Sequence, residues 1–293
     1  MELAPILLFT YNRPEHTRRT LEALKKNLLT QESELFIFSD AAKSDADKEK
    51  VTEVRNVISQ VDGFKKVEII ENTNNKGLAK NIIEGVTDII SKYGKVIVLE
   101  DDLITSPYFL TFMNDALNQY KDNEKIGHVH GYCYPDLNVG DAFLIKWIGS
   151  WGWGTWDRAW KHFNADGNYL LKQLEDRKLT HLFDFNGTYK YTRMLRRQTK
   201  GINNSWAIRW NASLFLKDIL SLNAGESLVQ NIGFDGTGTH SGNKEIWKTH
   251  LCNRRLDVSI TPIQESKKAR LAYQKYYRKT NGFWAKVKRR LLG

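Results

Sequence analysis

The chain has 293 residues, with 44 Lys and Arg against 34 Asp and Glu and a formal net charge of +10. Ten of the basic residues and none of the acidic ones fall between Lys267 and Gly293, which leaves 34 of each sign in the rest of the chain. That distribution argues against a nucleic-acid binder that is basic all over, and no run approaches the roughly 18–20 apolar residues that span a bilayer.

The first half repeats one pattern four times. Pro5–Phe9 is a short apolar run, ending in Thr10-Tyr11-Asn12. Pro14 then sits where a helix can begin at no cost, and Leu21, Leu24 and Leu28 follow at helical spacing. Leu35–Phe38 ends in Ser39-Asp40. Ser44 is a candidate N-cap for the next helix, which places Val51, Val54, Ile58 and Val61 on one face. Val67–Ile70 ends near Asn72, before a helix carrying Leu78, Ile82, Ile83, Val86, Ile89 and Ile90. Val96–Leu99 ends in Glu100-Asp101-Asp102, and Ser106-Pro107 reads as the cap and first position of a helix with Phe109, Phe112, Met113 and Leu117.

Continuously apolar strands alternating with amphipathic helices predict an α/β fold, a mostly parallel sheet covered on both faces. Ligands of such sheets bind beyond the carboxyl ends of the strands, and here every strand ends in polar residues. Neither GxGxxG nor GxxxxGK[ST] follows the first strand, so a dinucleotide-binding Rossmann half and a P-loop are poor fits. From about Ile126 the alternation is lost and Trp, Gly and Asn accumulate, without repeat or linker, which reads as the same domain continuing.

Three adjacent carboxylates on a buried strand end repel one another. A bound Mg²⁺ or Mn²⁺ removes the conflict and keeps positions open for substrate phosphates. A metal with phosphates and no P-loop points toward a nucleoside-diphosphate substrate. Gly149-Ser-Trp-Gly-Trp-Gly-Thr-Trp156 adds flat rings between glycines, suited to packing on sugar C–H faces or, equally, to filling a core.

At these residues the chain resembles a known family. Strand-TYNRP, strand-SDAA, NKGLAKN and VIVLEDDL are similar to the N-terminal half of GT-A fold glycosyltransferases, both bacterial family 2-like enzymes and the eukaryotic N-acetylglucosaminyltransferase I group. GSWGWGTWDRAW, SWAIRW and SLVQNIGFDGTGTH resemble bacterial transferases that build capsule, exopolysaccharide or lipopolysaccharide.

The resemblance implies a Rossmann-like GT-A domain over residues 1–262, with a nucleotide-binding half (1–125) and an acceptor and donor-sugar half (126–262). Thr10, Tyr11, Asn12 and Arg13 would line the nucleotide pocket, Asp40 would approach the base or ribose, and Lys76, Gly77 and Asn81 would lie near base and diphosphate. Asp101 would meet the ribose or donor sugar, Glu100 the donor sugar, and Asp102 the metal. Trp151, Gly152 and Trp153 would flank donor sugar and acceptor, Arg209 could hold diphosphate, and His240 is a second candidate for metal or diphosphate.

Inversion needs a base for the acceptor hydroxyl. Where related sequences carry WDxxW, this one has Trp206-Ala207-Ile208-Arg209-Trp210, and Ala207 cannot serve. Asp157, Asp235 and Glu226 are the remaining candidates, with Glu226 the weakest. His128 and His130 share a strand face with no third ligand at zinc spacing and read as structural.

The expected activity is transfer of a sugar from a nucleotide donor, a UDP-sugar first, to a saccharide or lipid-linked saccharide. The rivals are a sugar-nucleotide nucleotidyltransferase and a non-catalytic glycan binder. Residues 263–293 read as a basic amphipathic tail, with Phe283, Trp284, Val287 and Leu291 at helical spacing, suited to an anionic membrane surface rather than nucleic acid. No signal peptide is expected, because Leu3–Phe9 lacks a preceding basic segment. Cys133 and Cys252 read as reduced thiols of a cytoplasmic protein peripheral at the inner membrane face.

Overall fold

The computed structural model describes residues 2–235 and 247–281. His240 and the expected amphipathic stretch Phe283–Leu291 lie outside the described residues. The elements run β1 (Ile6–Thr10), α1 (Pro14–Lys25), β2 (Glu34–Ser39), α2 (Asp45–Ile58), β3 (Lys66–Glu71), α3 (Leu78–Tyr93), β4 (Lys95–Glu100), β5 (Leu103–Thr105), α4 (Phe109–Gln119) and β6 (Ile126–His130). They continue with β7 (Ala142–Ile145), β8 (Trp153–Trp156), α5 (Asp157–Trp160), α6 (Gly167–Asp176), α7 (Thr180–Phe183), α8 (Tyr191–Thr199), α9 (Trp206–Leu216), β9 (Leu220–Ala224), β10 (Val229–Asn231) and α10 (Lys267–Asn281).

One eight-stranded sheet has the order β3-β2-β1-β4-β8-β6-β9-β7. Its first four strands are parallel; β8 runs antiparallel to β4 and β6, and β7 antiparallel to β9. The second half of the chain therefore extends the same sheet. Side chains alternate across it with period two. Ile6 and Leu8 of β1, with Ile97 and Leu99 of β4, join α1, α2 and α4 in one core, whereas Leu7, Phe9, Val96 and Val98 join α3 and the tryptophans of α5 and α9 in the other.

The helices mostly follow their apolar spacing. Leu21 and Leu24 are buried under α1, but Leu28 lies past the C-cap and is exposed. Ser44 is the N-cap of α2, although its hydroxyl donates to Asp47 rather than accepting a backbone N–H. The helix expected from Ser106 begins at Phe109, because Leu103–Thr105 is taken up as β5, antiparallel to β10. Ser106 Oγ accepts instead from Tyr108 N and donates to the Cys252 carbonyl.

The expected separation of residues 263–293 does not describe α10. Tyr273, Tyr276 and Tyr277 are buried against the body, and Tyr277 Oη lies 2.8 Å from Tyr191 Oη and 3.2 Å from Tyr134 Oη. Three aromatic side chains on one helix bury enough apolar area to dock it despite the charge on its other face. Cys133 and Cys252 are free and buried.

Candidate active site at the strand ends

The carboxyl ends of β1, β2 and β4 form one rim, because parallel pairing aligns Thr10 with Ser39 and Phe9 with Glu100. Backbone bonds carry the ladder past the strands: Asp40 N donates to Thr10 O, and Asn72 N to Ser39 O. The loops above these ends are tied together. Tyr11 N donates to Asp101 Oδ2 at 3.2 Å, Asn12 Nδ2 to Asp47 Oδ1 at 2.9 Å, and Lys43 N to Tyr11 Oη at 3.0 Å.

Asp40 is the hub of the β2 side. Its carboxylate accepts from the backbone of Ala41, Lys76 and Gly77 and from the side chains of Asn72 and Asn75. Five donors fill the roughly four lone-pair sites of a carboxylate, so Asp40 is spent on shaping the 75–77 loop. Gly77, at φ 71°, caps α3 in a conformation that disfavours side chains. Asn81 is buried and accepts from Asn72, while the Lys76 ammonium reaches Glu84 at 2.9 Å. These residues gather where the sequence implied, but Asp40 and Asn81 support the rim rather than face outward from it.

The acidic cluster follows β4. Burial, then Asp102 and Asp101, push the Glu100 carboxyl up to about 8. Burial and Asp102 push Asp101 up to about 7, against the opposing pull of Arg13 and of its bond from Tyr11. Burial also raises Asp102, with Arg13 and His16 pulling the other way. Arg13 Nη1 lies 3.1 Å from Asp102 Oδ2. Thr20 braces the turn, donating to Asp101 O and accepting from Leu103 N.

The 231–235 segment closes over this cluster. Ile232 N donates to Asp102 O at 2.8 Å, and Asn231 Nδ2 reaches Asp102 Oδ1 at 3.4 Å. A Cβ on Gly233 would lie 2.1 Å from Asp102 Oδ2, so only glycine fits there without displacing the carboxylate. Asp235 Oδ2 then stands 3.2 Å from His16 Nε2, and its side chain remains 37% exposed.

His16, Asn231 and Gly233 were missed in the sequence. The signal for His16 was its position three residues after Arg13, which puts both on one side of the helix start.

Two candidate bases lie elsewhere. Trp156 pairs with Lys95, and Asp157 N bonds Gly94 O, so Asp157 sits at the amino end of β4, about 20 Å along the strand from Glu100. There its carboxylate pairs with Lys161. Glu226 is held by Arg254, which also binds Asp141, in an exposed ion cluster.

Arg209 points into the junction of α6 and α9. It donates to the Ser205 and Ala165 carbonyls and to Asn204 Oδ1, none of which belongs to the rim.

The tryptophans divide. Trp153 is fully buried in β8, with its ring 5.0 Å from Trp206 and 5.7 Å from His128, and is core. Trp151 is partly exposed and packs on Tyr132, Phe234 and Trp247, next to the segment that carries Asp235. Gly152, at φ 65°, makes the turn between them. His128 and His130 are buried side by side at 6.0 Å, held by Ser221 and Asn223.

The sequence profile described as glycosyl transferase family 2 matches residues 6–193. The chain belongs to this family. It is a glycosyltransferase with a GT-A fold, its mostly parallel sheet flanked by helices on both faces. No match was found among curated protein sequences.

Among solved structures, this glycosyltransferase is similar to a mannosyltransferase, PcManGT from Pyrobaculum calidifontis in complex with GDP-Man and Mn²⁺. The identity is 12% and the TM-score 0.38, over 60% of this chain and 47% of that one. It is similar to S. aureus TarS 1–349 in complex with UDP, at 13% identity and TM-score 0.33, over 45% of this chain and 36% of that one. It is also similar to glucosyl-3-phosphoglycerate synthase from Mycobacterium tuberculosis in complex with Mn²⁺, UDP and glucosyl-3-phosphoglycerate, at 12% identity and TM-score 0.34, over 60% of this chain and 67% of that one. The chain spans less than half the length of the first two.

The rim residues fit a hard divalent cation. Burial raises these carboxyls, with mutual repulsion adding at Glu100, and a cation held by Asp102 would favour their charged forms. Among the described residues no three His, Cys, Asp or Glu side chains are grouped to hold a metal, so substrate oxygens and water would complete its shell.

Proposed function

We propose that this glycosyltransferase moves a sugar from a nucleoside-diphosphate donor, in first place a UDP-sugar, to a saccharide hydroxyl of a bacterial surface polysaccharide, with inversion and with Mn²⁺ or Mg²⁺. The observation that carries the reading is the convergence of Arg13, Asp101, Asp102 and Asp235 on one rim of the sheet. Asp102 would hold the cation, which when bound neutralises the departing diphosphate. Tyr11, Asn12, Arg13 and Lys76 edge the same rim and would receive the nucleotide.

Asp235 is the acceptor base in this reading. It is the one of the three candidate carboxylates that stands beside the cluster, and His16 fixes its position. Trp151 offers an apolar ring for the sugar face next to it. The acceptor is a saccharide, lipid-linked at the cytoplasmic face of the membrane, where the enzyme works as a peripheral protein; no helix among the described residues is long and apolar enough to cross a bilayer. Nucleic acid is not a partner.

The reading is tested by thermal shift with Mn²⁺ and a panel of UDP-, GDP-, dTDP- and CMP-sugars. One nucleotide class should stabilise the protein, and Asp102→Ala should abolish that response. Silence across the panel contradicts the reading.

A further inference from the structure

Helix α10 is divided along its length. At 3.6 residues per turn, Lys267, Lys268, Leu271, Lys275, Arg278 and Lys279 fall within an arc of about 120°, and all six are exposed. Ala269, Arg270, Tyr273, Gln274, Tyr276 and Tyr277 occupy the opposite side, and all six are buried.

The buried side is fixed to the body. Tyr276 stacks on Tyr134 at 4.5 Å, Tyr277 joins the hydroxyls of Tyr134 and Tyr191, and Arg270 is paired with Glu265 at 2.8 Å and lies over the Phe185 ring. The cationic arc is therefore a rigid face and not a tether.

Its charges are unlike those on α3, α5 and α6. Lys92, Lys161 and Lys172 each pair with an aspartate four residues away. The helix itself contains no acidic residue, and among the described residues none of its five exposed cations is in an ion pair. Five like charges on one face of a helix about 22 Å long repel each other until an external anion neutralises them.

Leu271, 63% exposed, stands in the middle of that arc. The tyrosine rings that would stack on bases are all turned inward. A flat cationic face with one central apolar side chain suits headgroups above an acyl layer better than a nucleic-acid groove.

We propose that the exposed arc of α10 docks the enzyme on an anionic lipid surface, with Leu271 entering the interface. This rests on the reading above in that a lipid-linked acceptor gives the docking its purpose. It assigns the contact to α10 itself, on the described body.

The test is co-flotation of the full chain with vesicles of phosphatidylcholine containing phosphatidylglycerol, against phosphatidylcholine alone. Wild type should float only with the anionic vesicles and be released by salt. The triple variant Lys268→Glu, Lys275→Glu, Arg278→Glu should lose about tenfold or more in partition with an unchanged melting temperature. Leu271→Ser, which keeps the charge, should lower vesicle partition severalfold and leave heparin binding as it was.

Flotation of the triple variant at the wild-type level overturns the proposal. So does failure of wild type to float, or preference of wild type for single-stranded RNA over the vesicles. Nucleotide stabilisation is measured on the same proteins. Its absence alongside intact flotation removes the transferase reading and leaves the docking, and the converse leaves the transferase without this surface.

Discussion

The Arg13 guanidinium stands 3.1 Å from the Asp102 carboxylate, the group proposed above to hold a divalent cation. Both side chains are about one-sixth exposed, so the pair is worth well under its low-dielectric limit. An ion arriving at Asp102 must compete with this internal cation. Arg13→Ala should therefore bind Mn²⁺ about tenfold more tightly in the absence of nucleotide, read by electron paramagnetic resonance of free Mn²⁺. Unchanged affinity would mean that the pair does not guard the site.

Asp235, paired with His16 beside the acidic cluster, is the proposed base. Asp235→Asn should reduce turnover by about 10²–10⁴ while nucleotide-induced stabilisation persists, as expected for loss of general-base catalysis. Asp157→Asn and Glu226→Gln should leave turnover unchanged, because their carboxylates pair with Lys161 and Arg254 away from the rim. Steady-state kinetics on the three variants distinguishes them.

The two tryptophans on either side of Gly152 should separate stability from acceptor use. Trp153→Ala removes a fully buried ring and should cost about 3–5 kcal/mol in urea unfolding. Trp151 is partly exposed beside Phe234, and its alanine variant should lose much less stability and instead raise the acceptor KM. Equal stability losses would contradict the division.

Much of this was legible in the sequence, and the failures have physical causes. The strands β1 to β4 stood out because buried parallel strands read as unbroken apolar runs such as Ile6–Phe9 and Val96–Leu99. Their polar ends marked the rim. Trp153–Trp156 was obscure, because tryptophan alternating with small residues serves a sugar platform and a central strand equally well, and only its pairing with β4 placed Asp157 at the far end.

In α10 the charge drew attention from the tyrosines at 273, 276 and 277, whose spacing alone specifies a docked face. Asn231 and Gly233 belong to the rim through β10 pairing with β5, a long-range contact that no local pattern announces.

Buried histidine predicts an acid limb in stability. Burial holds His130 down to about 4, against the help of Asn223, so the folded state keeps it neutral where the unfolded chain takes up a proton near 6.5. The unfolded state then binds more protons between those values, and stability falls as pH drops from about 6.5 to 4, by about 3 kcal/mol from this residue. His130→Asn should flatten that part of the curve. Urea unfolding across the window measures the difference, and parallel curves would refute the assignment.

The measurement closest to the central claim is release of nucleoside diphosphate from the donor that stabilises the protein, followed with Mn²⁺ present and after chelation. We expect slow hydrolysis by the wild type, faster release when the right saccharide acceptor is added, and loss of both on chelation or in Asp102→Asn. Release that continues undiminished in Asp102→Asn would contradict a catalytic site at the end of β4.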